Sequence, residues 1–193
     1  IIDNVLENTK SSLVSIDGGD KHNAIPREAF ANIIIHPESV SDGQNLVSNR
    51  TDALKKEFGA MEPNLNIKFT GSEDTSEKCF STESQTKLIG LLRTLPHGVL
   101  KYSHDVKGLV ETSNNLASVK TENTGINIVC STRSSISEAL ELQRERIKIM
   151  SKAFGAKTNQ DEAYPGWAPN VSSPVLETTT KIYTELLGKE PHI

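Results

Sequence analysis

Alternation of apolar and polar side chains predicts a strand over residues 12–16 (Ser-Leu-Val-Ser-Ile), and a second apolar run predicts another over residues 29–35. The second ends before His36-Pro37, because the residue ahead of a proline is held extended and proline cannot continue a ladder. Upstream, Val5 and Leu6 face a core from the end of a helix over residues 1–10. Residues 39–43 form a polar break, after which Val47, Leu54 and Phe58 recur at helical spacing and Gly59 is placed to end the helix. Leu65, Ile67 and Phe69 alternate, predicting a strand over residues 64–70, and a polar, turn-rich loop follows over residues 71–81.

The second half reads as strongly. Thr82 is placed as N-cap of a helix carrying Leu88, Leu91, Leu92 and Leu95, which Pro96 stops. Three strands then follow in quick succession, over residues 98–103, 109–120 and 126–133. The turns between them are short, which predicts antiparallel neighbours. Residues 135–154 form the longest helical pattern. Ile136, Leu140, Ile147, Met150 and Phe154 make its apolar face, and Glu141, Arg144, Glu145 and Lys148 its charged one. Residues 156–163 suggest an edge strand. A last helix covers residues 174–187, with Pro174 in its first turn and Gly188 at its end.

These elements sum to an α+β fold, a largely antiparallel sheet with helices on one face, in the order β-β-α-β, α, then β-β-β-α-β-α. The two halves are similar in order without a sequence repeat. With 193 residues the chain can bury a real core. It begins at Ile1 inside a helix-like pattern and stops just after a helix, so we read it as one domain, residues 1–193, excised from a longer protein.

Composition narrows function mainly by exclusion. A net charge of -4, with acidic and basic residues interspersed, leaves no basic stripe and argues against nucleic acid. No apolar run approaches the roughly 20 residues that span a bilayer, which argues against a membrane partner. The two cysteines, Cys79 and Cys130, lie far apart, form neither a disulfide framework nor a zinc pattern, and suit a reducing cytoplasm. The five histidines (22, 36, 97, 104 and 192) are scattered and pair with no Asp, Glu or His at a ligand spacing. His36 and His97 read as buried hydrogen-bonding groups. No nucleophile elbow and no phosphate loop is present. The run Arg144-Glu145-Arg146 reads as helix surface, and Trp167, in a Pro/Gly-rich turn, as an anchor on the core.

Two residues are left as candidate binding groups. The loop Gly18-Gly19-Asp20-Lys21-His22-Asn23-Ala24-Ile25-Pro26 joins two rigid strands and presents Asn23, whose amide both donates and accepts. It equally suits a turn cap. Arg133 ends the strand over residues 126–133, where a guanidinium can clamp a carboxylate in bidentate fashion or simply sit on the surface near a helix start.

The sequence Asn23-Ala24-Ile25-Pro26-Arg27-Glu28-Ala29 before an apolar strand resembles the lid domain of di-zinc dipeptidases of the aminoacyl-histidine dipeptidase (peptidase D, bacterial carnosinase) type. Leu95-Pro96-His97-Gly98-Val99, Gly108-Leu109-Val110-Glu111-Thr112-Ser113-Asn114-Asn115-Leu116 and Tyr164-Pro165-Gly166-Trp167-Ala168-Pro169-Asn170 follow in the same order over nearly the whole chain. The resemblance implies an enlarged ferredoxin-like sandwich that serves as lid and dimer contact of a cytoplasmic enzyme cleaving Xaa-His dipeptides. It also implies two zinc ions and a general-base glutamate, all held by a catalytic domain flanking this segment on both sides. Arg133 matches the family's arginine for the substrate's C-terminal carboxylate, and Asn23 its asparagine for the substrate or tetrahedral intermediate. Alone, the domain is expected to be inactive. The alternative is a stand-alone ferredoxin-like binding or assembly module without catalysis.

Overall fold

A computed structural model describes residues 1–72 and 78–191. The middle of the predicted 71–81 loop and His192 lie outside the described residues. The elements are α1 (Ile2–Asn8), β1 (Ser11–Gly18), β2 (Ala29–Ile35), α2 (Val40–Phe58), α3 (Thr82–Thr94), β3 (Gly98–Tyr102), β4 (Val110–Glu122), β5 (Gly125–Ser134), α4 (Ser137–Ala153) and α5 (Pro174–Leu187). The α+β class stands, with one five-stranded antiparallel sheet and helices packed against it.

The long strand β4 organises the sheet. β5 lies along one edge of it for ten register pairs, from Thr112↔Ser134 to Glu122↔Gly125. β3 pairs near its start (Gly98↔Asn114) and β1 near its end (Gly18↔Val119), and β2 closes the order outside β1. Ala117 is the extra residue of a bulge, since Leu116 pairs with Cys130 and Ser118 with Val129.

Because side chains alternate across a strand, the two faces of β4–β5 carry different chemistry. One face packs under α3 and α4. Leu91, Leu95 and Ile147 form a buried cluster there with Leu116, Ile128, Cys130, Met150 and Phe154 against it. Asn114 shares this face and is satisfied on both sides, donating to the Pro96 carbonyl (2.7 Å) and accepting from Thr132 Oγ1 (2.7 Å). Burial raises the Cys130 thiol above its ordinary pKa, with Asn114 opposing that shift. The helices cross closely at Gly90, where an added Cβ would meet the Phe154 ring at 2.4 Å. The other face presents Ser113, Asn115, Ser131 and Arg133, all polar.

Five expectations are corrected. Residues 64–70 are not a strand. Leu65, Ile67 and Phe69 are half-buried in alternation, and the Phe69 ring lies about 3.3 Å from where a Cβ on Gly43 of α2 would sit. Side-chain packing alone met the alternation, and no ladder partner exists among the described residues. Residues 156–163 are irregular too, tethered instead by Arg144, whose guanidinium donates to the Asp161 carbonyl (2.6 Å). Arg144 is therefore mostly enclosed, with its side chain 18% exposed, rather than a solvated helix charge. The break read at 39–43 is absent: a 3-10 turn, Pro37–Ser39, runs straight into α2. The cap of α3 is Ser81, whose hydroxyl accepts from the Ser84 N–H, not Thr82.

Glu111, on β4, gives the fold an acid-sensitive contact. Its buried carboxylate lies 2.9 Å from Lys101 Nζ on β3 and accepts from Thr112 Oγ1. The Lys101 hydrogen bond holds its pKa below the ordinary glutamate range against the opposing effect of burial. With the folded pKa depressed, this stabilisation is complete above the unfolded value, about 4.3. It is lost as pH falls through the folded one, where the unfolded chain binds more protons. Urea titrations across pH 3–7 should show that slope in wild type and a shallower one in Glu111→Gln. Equal slopes would remove Glu111 from the account.

Candidate functional site

Asn23 sits in the β1–β2 loop, in a turn closed by the Ala24 N–H on the Lys21 carbonyl (3.2 Å). The loop base is closed by the Gly19 N–H on the Glu28 carbonyl (3.4 Å). His22, Asn23 and Ala24 are exposed. What holds the turn comes from 90 residues away. Asn115 Nδ2 donates to the carbonyls of His22 (3.2 Å) and Ala24 (2.7 Å), the residues on either side of Asn23. The backbone on either side of Asn23 is thus tied to β4.

Arg133 is exposed, next to last on β5, and makes no ion pair among the described residues. It pairs with Ser113, and Ser131 pairs with Asn115. Cross-strand partners share a face, so Arg133 and Asn115 stand on the same polar side, one diagonal step apart. The fold therefore puts Arg133 and the Asn115 amide that holds the His22 and Ala24 carbonyls on one polar face, on the opposite side of the sheet from the α3–α4 core. An amide and an unpaired guanidinium there suit a small ligand with a carboxylate and a carbonyl.

Beside them lies the 164–167 turn. Gly166 packs onto the end of β5, where an added Cβ would meet the Ser134 carbonyl oxygen at 2.6 Å. Trp167 is 83% and Tyr164 81% exposed, which corrects the expectation of a tryptophan buried on the core. The turn is seated by its glycine, and its aromatics are left in solvent. Both could not be inferred from turn chemistry, because burial depends on what packs against the loop.

The histidines separate as hydrogen-bonding groups. His97 Nδ1 accepts from the Leu116 N–H (3.1 Å), next to the bulge, and His36 Nδ1 accepts from the Glu38 N–H (3.4 Å). Both are exposed rather than buried, each ring standing just outside a strand, after β2 and before β3. Among the described residues no three His, Cys, Asp or Glu side chains gather as a metal site, and no helix is long and apolar enough to cross a membrane. Asn115 was missed at the sequence level although it lies in the quoted 108–116 motif. Its signal was its place two residues from Ser113, on the strand face opposite Asn114.

Residues 3–62 match the peptidase dimerisation domain family. The chain is similar to the cytosol non-specific dipeptidase of Escherichia coli (strain K12), at 35% identity over 181 residues, covering 94% of this chain and 37% of that protein. It is also similar to the crystal structure of aminoacylhistidine dipeptidase from Vibrio alginolyticus. There the TM-score is 0.89 and the identity 30%, over 96% of this chain and 38% of that one. The chain thus spans less than two fifths of the length of either relative.

Proposed function

We propose that this chain, whose residues 3–62 match the peptidase dimerisation domain family, is the lid and dimerisation domain of a zinc-dependent enzyme hydrolysing Xaa-His dipeptides. A catalytic domain flanking it on both sides is part of this reading, in keeping with the share of each relative that the chain spans. The observation that supports it most is the single open face carrying Arg133 and the Asn115-held Asn23 loop. On this reading two zinc ions belong to the flanking domain, where they would activate the attacking water. On this reading Arg133 takes the dipeptide's C-terminal carboxylate in a two-pronged hydrogen bond, and Asn23 orients the scissile amide as the lid closes. The domain by itself does no chemistry. A cytoplasmic location follows the name of the Escherichia coli relative.

The full-length parent, loaded with zinc, tests this by histidine release from Xaa-His dipeptides. Cleavage there, and none by residues 1–193 alone, is the expected result. No cleavage by the parent would leave the assembly-module reading in its place.

Dimerisation has its own test. Among the described residues β2 is the outermost strand, with no strand paired on its outer side, and its Phe30 (66%) and Ile34 (42%) are exposed. Such an edge is a template for a second strand, here that of a second copy. Phe30→Lys with Ile34→Lys places like charges across the two-fold and should weaken self-association at least about tenfold (roughly 1.4 kcal/mol). Sedimentation equilibrium reads this, with thermal melts confirming the fold. Unchanged association would move the interface elsewhere.

A further inference from the structure

We propose that Asn115 is a positioning residue of the site: it clamps the Asn23 turn at a set distance from Arg133. The inference rests on the proposed reading of Asn23 and Arg133 as substrate groups. Three observations carry it. First, the two N–H bonds of one amide are both spent on the turn, and they bracket Asn23 by its neighbours' carbonyls at 3.2 and 2.7 Å. One bond would leave the turn free to pivot. Two, on either side, fix where the Asn23 Cα stands.

Second, the other end of that amide is left without compensation. Asn115 Oδ1 is enclosed and accepts no hydrogen bond among the described residues. Buried acceptors are usually satisfied, and an exception asks for a reason. Turning the amide over would not help, since Oδ1 would then face two carbonyl oxygens. The orientation is set by the loop, at the expense of the strand. The neighbouring Asn114 shows the ordinary arrangement, with both ends of its amide paired.

Third, Asn115 is built into the same ladder as Arg133. Asn115↔Ser131 and Ser113↔Arg133 are consecutive same-face pairs of the β4–β5 hairpin. Among the described residues the one β1–β4 register pair is Gly18↔Val119, beyond the Ala117 bulge, and Thr121 ties β4 to Ile16 and Asp17 of β1 further on. Asn115 carries the register of the hairpin across to the turn itself. A substrate held at both points would feel any change in that spacing, and a misplacement of about 1 Å can cost about a hundredfold in rate.

The test uses the full-length parent and a Xaa-His dipeptide, with Asn115→Ala, the near-isosteric Asn115→Asp, Asn23→Ala, and Asn23→Ala combined with Asn115→Ala. Hydrogen exchange of the segment spanning residues 20–27 is followed in the same proteins. We expect both Asn115 variants to lose kcat about ten- to a hundredfold with KM within about twofold, since Arg133 is untouched. The double variant should lose no more than Asn23→Ala alone. Exchange in the 20–27 segment should quicken in the Asn115 variants and not in Asn23→Ala. Asn23→Ala impaired, but Asn115 variants at wild-type rate or with losses that simply add, overturns the clamp and leaves the site reading intact. Asn23→Ala at wild-type activity overturns the site reading instead. The exchange rates then judge the clamp alone, and unchanged rates overturn it as well. Because Asn115→Asp keeps the side-chain volume, a folding defect confined to Asn115→Ala does not decide the matter.

Discussion

Gly19→Ala is expected to destabilise the protein by about 2–5 kcal/mol and to push the Asn23 loop off the sheet. Gly19 sits at φ 68°, and its missing Cβ would stand 1.9 Å from the Ala117 carbonyl oxygen, 2.9 Å from the Ala117 carbon and 3.1 Å from the Ser118 Cα. A left-handed conformation costs an alanine about 1–2 kcal/mol. The contact adds more, because every atom it meets is backbone, on a strand held along its other edge by β5. No rotamer can turn away. Relief requires moving either the β4 bulge or the end of β1, and shifts of that kind in a packed region cost about 1–3 kcal/mol. Gly18↔Val119, the pair that joins β1 to β4, is one residue away, so the seam between the two parts of the sheet takes the strain. Urea unfolding measures the loss as a lower midpoint at an unchanged slope. A variant within about 0.5 kcal/mol of wild type, the range of an ordinary surface change, would mean that the loop does not rest on the bulge.

Arg133→Ala is expected to raise KM for a free-acid dipeptide by about 30- to 4,000-fold in the full-length parent, with kcat changed far less. Truncating one side of a hydrogen-bonded charge pair costs about 2–5 kcal/mol, and each 1.4 kcal/mol is tenfold. The effect falls on KM because a carboxylate remote from the scissile bond is bound alike in ground and transition states. The same reasoning predicts what the variant loses in selectivity. Wild type should discriminate strongly against the C-terminal amide of the same dipeptide, and Arg133→Ala should not. Arg133→Lys should recover the charge but not the fork, landing between the two. Unchanged KM in Arg133→Ala would take Arg133 out of the site. Raised KM with discrimination intact would leave it near the substrate but off the carboxylate.

How far the sequence carried the fold is seen best where it stopped short. The pattern at Leu65, Ile67 and Phe69 reports half-burial at every second residue, and the structure has that half-burial. A strand also needs a partner's backbone, and no run of side chains can report one. Arg144 shows the same limit in a helix. Its place on the charged face was legible, but its bond to the Asp161 carbonyl depends on where a later segment returns. Trp167 shows it in a loop. For the site, the sequence offered Asn23 and Arg133 as residues of suitable chemistry beside a turn cap and a surface arginine as the plainer readings. It had no means of relating them across 110 positions.

Periodicity, prolines and glycines alone therefore determined the α+β class, the β3–β4–β5 meander and the ends of the helices at Gly59, Pro96 and Gly188. These are local effects, set by backbone preference and by which face of a segment must leave water. The tertiary structure decided which polar residues face one another. The β4–β5 register puts Arg133 and Asn115 on one side, the Ala117 carbonyl at the bulge leaves space beside it for a glycine alone at position 19, and the Asn115 amide then reaches the turn around Asn23. Pairing register and long-range side-chain to backbone bonds depend on segments far apart in the chain, and no single stretch of sequence contains them.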